Sequence, residues 1–190
     1  LTDDQRWDML GCMGNEIIRT PHLDTLARDG IVFENHFVTY SYCAPSRASF
    51  LTGMCYPRHK IARKRVWKPS VFAQSYPVVL RKAGYYTGFV GKWHMGPFKA
   101  NAFDYAWGFA GQGTYYGLGA DPETHLTTTM INKAIDFLKT RDETKNFCLS
   151  ISFKAPHAQD RSGSCFPSDP QYQSLYADLE IPTPETATPE

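Results

Sequence analysis

The sequence predicts an α/β fold, a mostly parallel sheet flanked by helices. Three observations lead there. Short apolar segments alternate with segments of helical spacing, the order expected of parallel strands joined by crossover helices. The chain has 190 residues, 42% of them hydrophobic and 21% charged, enough for one domain with a real core. Groups able to do chemistry follow the strand-like segments: Asp3-Asp4 opens the chain, "GKWHMG" follows "YYTGFV", and "KAPH" follows "FCLSISF". Parallel sheets bind ligands beyond the carboxyl ends of their strands, so these exits would assemble one site from distant sequence.

Each element has its own signal. Thr20, Pro21 and Gly30 frame a short helix over "HLDTLARDG" as cap, first turn and exit. "IVFENHFV" reads as a strand with mixed alternation. Pro45 opens a second helix, closed by Gly53, with Cys43 immediately before it. Residues 71–83 read as a helix ending at Gly84, and "YYTGFV" as a buried strand. "FDYAWGFAGQGTYYGLG" is aromatic and glycine-rich, hence a loop in which Trp107, Phe109, Tyr115 and Tyr116 pack, with sugar stacking as the other use of such rings. Leu126, Met130, Ala134, Phe137 and Leu138 recur at helical spacing within 123–139. "FCLSISF" reads as a strand.

Composition narrows the function classes. A net charge of +1 gives no global attraction to nucleic acid or to a membrane surface, and no apolar run reaches membrane-spanning length. His59-Lys60 with Arg63-Lys64-Arg65 is a short basic cluster, read as solvated surface, with an anionic substrate as the alternative. The five cysteines, at 12, 43, 55, 148 and 165, fit no zinc framework; with Cys43 otherwise employed, one or two disulfides are open to the rest. No signal peptide is visible, and both ends read as those of a fragment: no strand precedes Leu1, and "IPTPETATPE" closes no element.

Four clusters carry candidate chemistry. Asp3 and Asp4 offer adjacent carboxylates, the oxygen ligands that hard cations need. Lys92 and His94 alternate around Trp93 and in an extended segment would face one side. Lys154 and His157 repeat the pairing at another strand exit. Cys43 beside a helix N-terminus would have a lowered thiol pKa, with Arg47 one turn on to reach an anion. Each has a bland reading: a solvated turn, a surface lysine beside a structural histidine, a buried thiol.

"CAPSRASFLTG" resembles the sulfatase signature, whose inner Cys-x-Pro-x-Arg directs a maturation enzyme to oxidise the cysteine to Cα-formylglycine. "TDDQRWDMLGCMGN", "TPHLDTLARDG", "GKWHMG" and "KAPH" also resemble sulfatase motifs, in family order and over nearly the whole chain. The resemblance implies an alkaline-phosphatase-like fold, incomplete at both ends, with residues 1–190 as the N-terminal portion of one catalytic domain. It implies a sulfuric ester hydrolase in which the hydrated aldehyde from Cys43 attacks sulfur, the alcohol leaves, and the second hydroxyl expels sulfate. Asp3, Asp4 and the converted Cys43 would hold a divalent metal, Ca²⁺ or else Mg²⁺. Arg47 and Lys92 would neutralise charge, His94 would act as base, His157 would serve the leaving oxygen, and Lys92, Lys154 and His157 would bind substrate. The implied partners are a sulfate ester (an aryl sulfate or a sulfated glycan) and the formylglycine-generating enzyme. The implied location is periplasmic, secreted or lysosomal.

The chain departs from that pattern in one respect. The family completes its metal site with a later Asp-Asn pair, and no such dipeptide occurs here. The alternatives are a phosphonate or phosphate monoester hydrolase of the same superfamily, or an inactive piece that keeps only the fold.

Overall fold

Tyr86–Lys92 forms the central strand, β1, with Tyr105–Phe109 (β2) on one side and Phe147–Ser152 (β3) on the other. Both pairings are parallel, with Val90 opposite Trp107 and Ile151. This computed structural model describes residues 1–62, 67–119, 121–159 and 165–183. Contacts divide it into two units, Leu1–Asp4 with His36–Phe166, and Gln5–Asn35 with the described part of Pro167–Glu190. The parallel sheet flanked by helices agrees with the sequence reading.

β1 is buried on both faces, as a strand between two helical layers must be. Phe89 joins a core with Ala44, Ala48, Leu51, Trp67, Trp93 and Phe103. Val90 joins another with Tyr115, Leu126 and Met130. Gly91 has φ +110°, and a Cβ there would strike the Ser152 carbonyl and the Met130 methyl. Only glycine fits both the backbone and the space. β2 corrects the reading of 103–119 as loop throughout. Its five residues are half-buried and pair along β1, and Gly108 is needed because a Cβ would lie 2.7 Å from Gly91 O. The remaining aromatic stretch is irregular; Tyr115 is buried, and Tyr116, with Trp107 and Phe109 of β2, packs against the cluster that Tyr115 forms with Val90, Leu126 and Met130.

The helices, in chain order, are α1 (Pro21–Asp29), α2 (Cys43–Thr52), α3 (Tyr56–His59), α4 (Pro69–Phe72), α5 (Tyr76–Lys82) and α6 (Leu126–Thr140). α6 buries Leu126, Met130, Ala134 and Phe137 as its spacing requires, while Leu138 stays 39% exposed. α2 closes at Gly53, φ +66°, as expected, but it starts at Cys43, with Tyr42 as the extended residue before it. Residues 71–83 do not form one helix. They split into α4 and α5 because Pro77 cannot donate in a helix interior and its ring collides with a preceding carbonyl.

Residues 31–38 form no strand. Ile31, Phe33 and Phe37 are largely exposed, and no described segment supplies the ladder that a strand needs. Thr20 does not cap α1 through its hydroxyl. That group donates to Asp24 Oδ1 and accepts from Gly11 N, each at 2.9 Å. Gly30 is not left-handed; a Cβ there would meet Leu26 O. All five cysteines are free thiols, so none of the disulfides that their number left open is formed. His59 is buried rather than solvated: its Nδ1 accepts from Ile61 N at 3.0 Å, and its Nε2 therefore donates to Ser49 Oγ at 3.0 Å. Arg63-Lys64-Arg65 and the end of the Pro/Thr/Glu tail lie outside the described residues. No helix among the described residues is long and apolar enough to cross a membrane.

Candidate active site

Parallel strands deliver side chains at their carboxyl ends, and three backbone segments meet there. Leu1–Asp3 runs beside the end of β3: Phe153 N donates to Leu1 O at 2.9 Å, and Asp3 N donates to Ala155 O at 3.1 Å. β1 ends on Lys92, and α2 begins on Cys43. The Lys92 ammonium donates to Asp3 Oδ2 and lies 3.8 Å from Cys43 Sγ. The thiol in turn faces Asp3 Oδ1 at 3.7 Å. Residues 3, 43 and 92 thus share one small volume, although 40 and 49 positions separate consecutive members.

Arg47 locks this arrangement from below. It is buried one turn into α2. Its NH1 donates to Lys92 O at 2.9 Å and to Ser152 Oγ, and its NH2 approaches Phe153 O at 3.5 Å and Asp3 Oδ1 at 3.4 Å. The guanidinium therefore ties α2 to the ends of β1 and β3 and aims the Asp3 carboxylate. Ser152 was not foreseen; in the sequence it is one small residue in an apolar strand, and only the neighbouring guanidinium gives it a role.

His157 sits on the loop after β3. Its Nδ1–H donates to Ala158 O at 2.6 Å, which leaves Nε2 facing Asp4 Oδ2 at 3.5 Å. Asp4 is exposed, with φ +60°. Lys154 is buried, donates to Ala158 O at 3.0 Å, and lies 5.1 Å above the Tyr115 ring, so its ammonium is engaged inside the loop. His94 follows β1 with φ +51°. That left-handed step ends the extended segment, so the alternation expected to align Lys92 with His94 does not hold.

The electrostatics depart from the expectation for Cys43. Burial pushes its thiol up, Asp3 and Asp4 add to the rise, and Lys92 and Arg47 pull against it. The thiol is therefore a poorer anion than an ordinary cysteine. Burial alone would also raise the Asp3 carboxyl. The Lys92 hydrogen bond and the charges of Arg47, Lys92 and His157 outweigh it and hold Asp3 below the usual carboxylate range.

Asp3, Cys43 and His157 each offer one ligand atom, all within 4.8 Å of one another. One oxygen, one sulfur and one nitrogen do not fit a calcium ion, which takes six to eight oxygens. The carboxylates of Asp3 and Asp4 are the donor type such a cation takes, and replacing the Cys43 sulfur by oxygen would move the set toward a hard cation.

A family model described as Sulfatase matches residues 1–188. The chain belongs to the sulfatase family. It is 33% identical over 172 residues to an N-acetylglucosamine-6-O-sulfatase of Bacteroides thetaiotaomicron, covering 83% of this chain and 30% of that protein. It is 36% identical over 179 residues to the N-sulphoglucosamine sulphohydrolase of Homo sapiens, covering 90% and 32%. A solved structure in complex with its substrate D-glucosamine-2-N,6-O-disulfate superposes with a TM-score of 0.80 at 29% identity, covering 97% of this sulfatase-family chain and 38% of the other. The chain thus spans about a third of the length of these relatives.

Proposed function

We propose that the protein carrying this chain hydrolyses sulfate esters, with residues 1–190 as the N-terminal portion of its catalytic domain. The observation that carries this is the position of Cys43: first residue of α2, 3.7 Å from a buried carboxylate and 3.8 Å from a buried ammonium. A plain thiol with a raised pKa is a weak nucleophile. Conversion to Cα-formylglycine by a maturation enzyme would supply a hydrate with two hydroxyls, one to attack sulfur and one to drive sulfate release. A divalent cation, Ca²⁺ or Mg²⁺, held by Asp3 and Asp4 would supply Lewis-acid polarisation of a sulfate oxygen.

The chain's own residues do the remaining work. Lys92 sets a positive charge beside the reacting side chain, where a sulfuryl group gathers negative charge. Arg47 keeps Asp3 aimed and shares the neutralisation. His157 presents Nε2 to the leaving oxygen, its other nitrogen being committed to Ala158 O. His94 serves as the base that helps release sulfate. Lys154 shapes the loop that carries His157.

For substrate, the relatives' names point to sulfate on an amino sugar, and we favour a sulfated glucosamine-type glycan over a simple aryl sulfate. The test uses the protein at its full natural length. Peptide mass spectrometry checks Cys43 for loss of sulfur, and sulfate release is followed from glucosamine-6-sulfate, N-sulfoglucosamine, an aryl sulfate and the matching aryl phosphate. Release from a sulfated sugar, abolished by Cys43→Ala, is the expected result. Converted protein that prefers the phosphate, or Cys43→Ala at full activity, would overturn the reading.

A further inference from the structure

Tyr115 belongs to the aromatic loop, outside every motif that marks the site, yet it is almost fully buried and touches three residues of the loop that carries His157. Its hydroxyl donates to His157 O at 2.8 Å, its backbone N–H donates to Gln159 Oε1 at 2.6 Å, and its ring lies under the Lys154 ammonium at 5.1 Å. The far side of Tyr115 is anchored to α6. Its carbonyl accepts from Leu126 N at 2.6 Å, and its ring stacks on His125 with centroids 5.0 Å apart. A fifteen-residue helix packed on the sheet is a rigid support, and the His157 loop is a short irregular segment that needs one.

We propose that Tyr115 is a positioning residue for His157: by holding the His157 carbonyl from the α6 side, it keeps Ala158 O in place for the Nδ1–H and so aims Nε2. The inference rests on the reading of His157 as the group at the leaving oxygen. Two contacts converge on Ala158 O, from Lys154 Nζ and from the His157 ring. Tyr115 fixes both the peptide before that carbonyl and, through the ring face, the lysine that reaches it. Burial and the Asp3 charge push the Tyr115 hydroxyl up to about 12, so it remains a hydrogen-bond donor at any working pH.

The test is Tyr115→Phe in the full-length, converted protein. This variant keeps the stack on His125 and the ring under Lys154 and loses only the hydroxyl. Acid assistance matters for a sugar alcohol, a poor leaving group, and hardly at all for nitrophenolate. We expect kcat to fall roughly tenfold on a glucosamine sulfate and less than twofold on 4-nitrophenyl sulfate, with KM little changed, because a small misaim of an acid costs rate rather than binding. A purely structural role would lower the melting temperature and affect both substrates alike. Equal loss on both substrates, or no loss on the sugar sulfate, overturns the proposal. If the unaltered protein hydrolyses neither, the sulfatase reading fails, and Tyr115 is judged on nitrogen-15 NMR of the His157 ring. There, at a pH where the ring is neutral, the unaltered protein should show the Nδ1–H tautomer and Tyr115→Phe a mixture of the two; identical spectra overturn it.

Discussion

Replacing Lys92 by methionine isolates the electrostatics that hold Asp3. Methionine keeps much of the apolar stem and removes the ammonium that donates to Asp3 Oδ2. Lys92 is fully buried and Asp3 is 5% exposed, so water cannot take the ammonium's place. Breaking a buried ion pair by removing one partner costs about 3–5 kcal/mol. Arg47 still approaches Asp3 Oδ1 at 3.4 Å, which puts the expected loss near the lower bound, about 3 kcal/mol. The pH dependence gives the sharper signature. Asp3 has a depressed pKa in the folded protein, so its contribution is present above the unfolded value of about 4 and is lost as pH falls through the folded one. Without Lys92, burial is opposed only by Arg47 and His157, and the carboxyl rises. The deficit of Lys92→Met should therefore be largest at neutral pH and should shrink on acidification. Adding Asp3→Asn to Lys92→Met should recover part of the loss, since no carboxylate is then buried without its ammonium, while Arg47 gives up its carboxylate neighbour. The assay is urea unfolding by tryptophan fluorescence from pH 3.5 to 7, with a chelator present to exclude cations. A Lys92→Met deficit below about 0.5 kcal/mol at pH 7, against the range expected for a buried pair, would refute this account of the site. So would a deficit that grows as pH falls.

Two further outcomes are expected. Gly91→Ala should destabilise by about 3 kcal/mol or more, combining a left-handed penalty of about 1–2 kcal/mol with overpacking against Ser152 and Met130; urea unfolding measures it, and a loss under about 1 kcal/mol would contradict the tight approach of β1 to β3. In unconverted protein at pH 8, timed alkylation with iodoacetamide read by mass spectrometry should label Cys43 more slowly than the exposed Cys12, Cys55 and Cys165, because burial raises its pKa and leaves little thiolate. If Cys43 reacts first, the effect of the helix N-terminus dominates after all.

The residue pattern by itself determined the elements whose signals are local and redundant. α6 shows its buried stripe in its spacing, β1 and β3 are apolar runs of strand length, and α2 is closed by a glycine whose left-handed turn few other residues adopt. The same local reading named Asp3, Cys43, Lys92 and His157, because chemistry at a parallel sheet collects at strand exits. Tertiary structure decided whatever depends on a neighbour. β2 is a strand only because β1 lies beside it, and Ile31–Val38 is not one because no described segment pairs with it. The sign of the Cys43 shift followed from burial and two nearby carboxylates rather than from the helix end. Arg47 looked like a group reaching for an anion, yet its hydrogen bonds go to Lys92 O, Ser152 Oγ and Phe153 O, with Asp3 beside them. Tyr115 became more than a packed ring only when His157 O lay within reach of its hydroxyl. Short-range pattern fixes which backbone a segment prefers. Burial, hydrogen-bond partners and charge at a site are set by groups tens of residues away, and only the folded chain brings them together.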